Sequence, residues 1–266
     1  MINKTLYLRE MKKSLKMLLI FAMILTMYVA IIISMYDPKM METLDNFYEI
    51  MPEVMSAVGM TAGANSLIGF MVSYLYGFIL LVFPMVFAIL RGNGLIAKYT
   101  DSGAMAVLVA SPVKRKSIVI TQLSVLISGV LLLIGYATGL EFVVANMQFP
   151  GELAAGELLK LNLGLLALQL FIAGICFLSS CLFSETKYSI AFGAGIPALM
   201  YILQMLANVG EKAEKIKYIT FFTLFDANGI VAGDAGAFTG SVVLLVGAVV
   251  MFAAGVEIFS RKDLCV

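Results

Sequence analysis

The chain has 266 residues, of which 61% are hydrophobic and 13% charged, with a net charge of +1. A soluble domain carries about 25% charged residues, so this composition excludes a water-soluble globule and points to an integral membrane protein with no basic face to spare for nucleic acid. His is absent, which removes His-based triads, His metal ligands and His proton relays together.

The three cysteines, Cys176, Cys181 and Cys265, include no C-x-x-C pair and read as inert thiols rather than a disulfide framework or zinc site. Every polar stretch is short, at most about thirty residues, which is below the size that folds alone. There is no G-x-x-x-x-G-K motif, so the chain does not hydrolyse ATP by a P-loop. No internal repeat is visible.

Residues 1–16 carry Lys4, Arg9, Lys12, Lys13 and Lys16 against Glu10. Leu8, Met11, Leu15 and Leu18 recur at helical spacing, which predicts a basic amphipathic entry helix lying on the inner leaflet. Residues 17–36 are apolar and long enough to cross about 30 Å of hydrocarbon. The run ends in SMYDP rather than small residues, so it reads as an uncleaved first span. Acidic residues dominate 37–65, which should face outward, and Met40, Leu44, Phe47, Met51 and Met55 suggest a short surface helix there. The second span is predicted over 66–90, bent by Pro84.

Residues 91–117 form a basic link with Arg91, Lys98, Lys114, Arg115 and Lys116, expected on the cytoplasmic side. Leu95, Ile96 and Tyr99 share one helical face and Met105, Leu108 and Val109 another, with Gly103 separating them. Ser111 and Pro112 suit the cap and first position of the next helix. Three cations at that helix start oppose its dipole, a cost that membrane orientation or a partner's acidic surface would offset.

The remaining spans are predicted over 118–144, 158–182, 188–208 and 240–259. Gly135 and Gly139 form a G-x-x-x-G pair on the third, by close helix contact or by chance. Pro197 marks a kink in the fifth. Residues 219–234 are apolar but too short to span, and should dip into the outer interface or into the protein itself. Thirteen Lys and Arg fall on the predicted inner segments and five on the outer, placing both termini in the cytoplasm.

Ionisable residues within spans mark ion pathways, and here they are scarce. Glu141, near the outer end of the third span, and Glu257, near the inner end of the sixth, are expected at the interfaces. Without charged mid-membrane sites, coupling to protons or sodium is not expected and the energy source should lie in another polypeptide. Tyr201 and Gln204, one turn apart on the fifth span, together with Gln169 and Ser128, are candidates for a translocation path. Interhelical hydrogen bonds explain the same residues, and explain them better. A path of such groups with Met and Phe suits an amphipathic, peptide or lipid-like substrate. An all-α membrane protein of six spans, with an amphipathic entry helix and a helical cytoplasmic coupling segment in one transmembrane domain, is the expected fold.

The residues resemble the permease subunits of type-2 ABC exporters over nearly the whole chain. The entry LYLREMKKSLK and the outer segment SMYDPKMMETLDNFYEIMPEVMSAVGM are similar to that family's, as is the basic exit FSRKDL. Most specific is TDSGAMAVLVASPVKRKSIV, in which Asp101, Gly103, Leu108, Pro112, Arg115 and Ile118 fill an acidic-x-G-x-x-x-x-L-x-x-x-P-x-x-R-x-x-I pattern. Tyr99 stands where the family often has a second acid, and Gln122 where it often has Lys.

The resemblance implies a plasma-membrane assembly of two permease halves, identical or related, with two cytoplasmic ABC ATPase subunits. ATP and Mg would sit on the ATPase and no cofactor on this chain. Asp101, Gly103, Leu108, Ser111, Pro112 and Arg115 would carry the coupling contact. Lys114 to Lys116 would dock the ATPase, anchor to lipid, or both. The other function classes are a non-transporting sensor or immunity partner of an ABC ATPase and an intramembrane enzyme, which the lack of His and of a mid-span carboxylate pair disfavours.

Overall fold

A computed structural model describes residues 2–37, 50–57, 66–110, 113–209 and 214–262, apart from the side chains of 106, 107, 109 and 214. Among them there is no strand. Six helices are long and apolar enough to cross a membrane: Lys4–Ser34, Leu67–Asp101, Arg115–Gln148, Ala155–Leu182, Thr186–Asn208 and Ala235–Arg261. The chain is an all-α, multi-pass membrane protein, since only helices keep every backbone group paired without a closed barrel. The two ends of the bundle differ in charge. Lys4, Lys13, Arg91, Arg115, Lys187 and Lys262 lie at one end, called basic below. At the opposite, acidic end Asp37, Glu53, Glu152, Glu157, Asp226 and Asp234 outnumber Lys160, Lys215 and Lys217.

The fourth span is the hub. It packs against the second, third, fifth and sixth, and 67% of its apolar window is buried, against 17% for the fifth. The first span lies along the third. Hydroxyls and amides tie that pair along its length. The Asn3 backbone N–H donates to Thr121 Oγ1 (2.8 Å), Tyr7 Oη to Ser128 Oγ (2.9 Å) and Gln148 Nε2 to Ser34 Oγ (2.7 Å). Gly135 and Gly139 have open space beside them within the chain, so the G-x-x-x-G pair joins none of its own helices.

Two departures from the sequence reading change the picture. The entry segment is not a separate surface helix. It is the first turns of one 31-residue helix capped by Asn3, whose side chain accepts from the Leu6 N–H. Its buried stripe is Leu6, Glu10, Ser14 and Leu18, while Leu8 and Leu15 are exposed. A charge can face the protein here because it finds partners there, and the apolar face is then left for lipid.

The second departure is in the second span. It begins at Ser66, whose hydroxyl accepts from the Gly69 N–H, then passes through an eight-residue π-helical stretch, Val72–Ile79, before continuing as α-helix over Leu80–Leu95. Pro84 lies inside that last part. It removes the N–H that would bond the Leu80 carbonyl. Gln169 of the fourth span supplies the missing donor, its Nε2 reaching the carbonyls of Leu80 (3.3 Å) and Leu81 (2.9 Å).

The stretch 219–234 folds as a 3₁₀ turn, Phe221–Leu224, and a short helix, Ala227–Ala232. Thr220 and Asp226 cap these two pieces. Phe222, Phe225 and Ile230 are buried, so the segment packs into the protein against the second, fourth, fifth and sixth spans. Gly240 admits it: a Cβ there would collide with the Leu224 carbonyl. Of the expected surface-helix residues, Met40, Leu44 and Phe47 lie outside the described residues, whereas Met51 and Met55 flank and join a short helix, Pro52–Ala57.

Candidate functional site

The basic end holds a charged cluster joining the first and second spans. Glu10 is buried. Its Oε1 accepts from Tyr99 Oη (2.6 Å) and Lys13 Nζ (2.9 Å). Arg91 Nη2 donates to Glu10 Oε2 (3.2 Å) and to its backbone carbonyl (2.8 Å). Lys13 also donates to Tyr99 Oη (2.8 Å). Tyr99 thus contributes a hydroxyl to a carboxylate from another helix. A buried charge is retained only when paired and hydrogen-bonded, and Glu10 has both.

Beyond this cluster the basic link folds as two short helices, Ala97–Asp101 and Ala104–Ala110. Gly103 separates them with φ +71°, a left-handed value that glycine takes without strain. Leu95, Ile96 and Met105 are buried and Leu108 packs half-buried against the core. The Asp101 carboxylate accepts from the Thr186 N–H at the start of the fifth span (3.4 Å). Arg115 Nη1 donates to the Lys262 carbonyl after the sixth (3.3 Å). Lys262 in turn donates to the Leu182 carbonyl that ends the fourth (2.8 Å), where a cation suits the helix dipole. Burial lowers the Lys262 ammonium pKa from its ordinary value. Ser111 and Pro112 lie outside the described residues.

Where this link leaves the second span, three spans touch closely. Ser189 Oγ donates to Asn93 Oδ1 (2.7 Å), Ser179 Oγ to the Ser189 carbonyl (2.8 Å), and the Ala97 N–H to Ser180 Oγ (2.8 Å). A Cβ on Gly92 would lie 2.6 Å from the Cys176 Cβ, so the second and fourth spans meet there backbone to side chain.

The acidic end contains a cavity of about 720 Å³ between the short helix Pro52–Ala57, the second span, the fifth span and the stretch from Lys217 to Asn228. The π-helical stretch contributes Tyr76 and Gly77, the fifth span Tyr201 and Gln204, and the segment Phe222 and Asp226. Tyr201 Oη donates to the Gly77 carbonyl (3.4 Å), and its ring lies 5.3 Å from that of Phe222. Gln204 Nε2 donates to Asn208 Oδ1 (3.1 Å), while Gln204 Oε1 is buried without a partner. Of the four path candidates, Tyr201 and Gln204 come together here. Gln169 and Ser128 are not in the lining. They make the interhelical bonds described above.

Behind Tyr76 lies the feature the sequence reading placed wrongly. Glu141 is not interfacial but fully buried. Its Oε2 accepts from Tyr76 Oη (2.8 Å) and Asn162 Nδ2 (2.8 Å), and Asn162 Nδ2 also reaches Tyr76 Oη (2.6 Å). Glu141 Oε1 and Asn162 Oδ1 are buried without partners. A long helix explains the error: the third helix runs on to Gln148, so the carboxylate sits two turns inside it. The clue was available in outline. Glu141 comes seven residues before one helix ends and Asn162 seven residues after the next begins, so a hairpin of spans sets them level. Glu257 is half-exposed and pairs with Arg261 (2.5 Å). Among the described residues no group of His, Cys, Asp and Glu could hold a metal ion.

A family model described as ABC-2 family transporter protein matches residues 6–264. No curated protein matches, and no solved structure does.

Proposed function

This chain belongs to the ABC-2 transporter family, a permease subunit of an ABC transporter, and from that premise we propose that it forms the membrane half of an exporter for an amphipathic, peptide or lipid-like substrate. A separate cytoplasmic ABC ATPase, in two copies, binds and hydrolyses ATP with Mg. The permease half pairs with a second copy or a related chain. The basic end faces the cytoplasm of the plasma membrane, as the excess of Lys and Arg there favours. No chemical step falls to this chain.

The observation that carries the reading is the folded basic link. It ends the second span in two short helices and is tied to the first span through Tyr99, to the fifth through Asp101 and to the end of the sixth through Arg115. A partner pressing on residues 91–117 would therefore move several spans at once. The cavity lined by Tyr201 and Gln204 is the substrate space in this reading, since phenols, amides and aromatic rings suit an amphipathic guest.

Co-purification with an ABC ATPase tests the assembly, and coupling is tested at Arg115. In proteoliposomes Arg115→Glu should leave basal ATP turnover intact and remove most of its stimulation by substrate. Full stimulation at normal expression would refute docking by this segment.

A further inference from the structure

We infer that the outward face of the first helix binds an acidic phospholipid, with the headgroup against Arg9, Lys12 and Lys16 and the acyl chains against the apolar turns that follow. On a helical projection these three cations share an arc of about 100° with Leu19, Ile20, Met23 and Met27. All of them are exposed. The buried stripe of Leu6, Glu10, Ser14 and Leu18 lies on the other side of the helix. The outward face thus changes once along its length, from cations near the basic end to hydrocarbon further in. Arg9 and Lys16 stand about 10 Å apart along the axis, a distance that a headgroup layer and the reach of long cationic side chains cover together.

Ion pairing separates these cations from their neighbours. Lys13, on the edge turned toward the second span, meets Glu10, as does Arg91. Among the described residues no carboxylate pairs with Arg9, Lys12 or Lys16. The protein supplies an acid to the cations that face it and none to those that face out. A spanning helix directs its side chains sideways, into the plane of the membrane. A soluble partner docking at the basic end meets the end of the bundle rather than this flank, and it leaves Leu19, Ile20, Met23 and Met27 to lipid in any case. One molecule that joins a negative headgroup to acyl chains covers both halves of the stripe. A net negative headgroup is favoured over a zwitterionic one, because a choline would meet the same three cations. The stripe binds lipid in this way whether or not an ATPase docks on the link beside it.

The test titrates the purified full chain in detergent micelles with dioleoylphosphatidylglycerol and, separately, with dioleoylphosphatidylcholine, and counts bound lipid by native mass spectrometry. Phosphatidylglycerol should bind more tightly. Each single change, Arg9→Gln, Lys12→Gln or Lys16→Gln, should weaken it by about fivefold, the share of one cation near an acidic headgroup, and leave phosphatidylcholine unchanged. The three changes together should abolish the preference. The charge-conserving set Arg9→Lys, Lys12→Arg and Lys16→Arg should keep it, which separates headgroup binding from a folding defect. Lys98→Gln, Lys187→Gln and Arg261→Gln together remove the same net charge at the same end and should also leave the preference intact. Equal affinity of the parent for the two lipids, an unchanged preference in the triple Gln variant, or an equal loss in the Lys98, Lys187 and Arg261 set would overturn the inference. Displacement of the bound lipid by glycerol phosphate would overturn it as well, since the acyl contacts would then count for nothing. Co-purification with the ATPase is scored in parallel. A triple Gln variant that keeps its lipid preference but loses the ATPase would assign the three cations to a protein partner and refute the lipid reading, while the transporter reading would stand.

Discussion

Gln169 shows how one side chain settles a backbone problem that another residue creates. Pro84 cannot donate to the Leu80 carbonyl, and in a bilayer no water stands by to do so. The Gln169 amide reaches that carbonyl and the next one from the neighbouring span. Replacing it by Leu keeps the volume and removes the donor. We expect Gln169→Leu to cost about 1–3 kcal/mol, the range for a buried polar group left unmade, read as a lowered unfolding temperature in detergent. Adding Pro84→Ala should recover part of the loss, because residue 84 then donates to Leu80 itself. A double variant no more stable than Gln169→Leu would show that the amide acts elsewhere.

Between elements, the decisive contact is that of Glu10 with Arg91, which docks the start of the first helix on the second span at the basic end of the bundle. Removing one member of a buried ion pair leaves the other uncompensated and costs about 3–5 kcal/mol, whereas replacing both by apolar residues is often neutral. Glu10→Gln, which leaves Arg91 without its carboxylate, should destabilise strongly, and Arg91→Met less so, because Lys13 and Tyr99 still meet Glu10. The double Glu10→Leu with Arg91→Met should lie closer to the parent than the sum of the two single losses. Additive losses in a thermal double-mutant cycle would mean that the two side chains do not act as a pair. This contact also marks where sequence reading stopped. Leu8, Met11 and Leu15 advertise an apolar face, and periodicity assigns the buried side to it. The pairing of Glu10 depends on a residue 81 positions away, which local spacing does not carry. The boundaries of apolar runs were legible for the same reason that Glu141 was not: hydropathy locates the bilayer core, but a helix continues past it as long as its backbone bonds do.

On the scale of the whole chain, six apolar runs, the helical link and the buried segment near residue 225 could all be read from composition and spacing, because the bilayer restricts a chain to few solutions. The cavity could not, since it takes residues from four separated stretches. Sidedness is the molecular property most open to direct measurement. With Cys265→Ser as background, and Cys176 and Cys181 buried, single cysteines at Glu152 or Asp234 should react in intact cells with a membrane-impermeant maleimide. Cysteines at Lys116 or Lys187 should react only after permeabilisation. The reverse pattern would invert the bundle and place the basic link outside the reach of any cytoplasmic ATPase.

The π-helical stretch of the second span has a consequence for how this chain can change over evolutionary time. Tyr76 within it meets Glu141 and Asn162 toward one membrane surface, and Arg91 beyond it meets Glu10 toward the other. The wide turns between them set the rotational phase of one contact against the other. Deleting a single codon there would turn the two halves by about 100° relative to each other, the angle one residue contributes to an α-helix. One of the two contacts would then have to be abandoned. Point substitution in Val72–Ile79 should thus be far better tolerated than any change in its length.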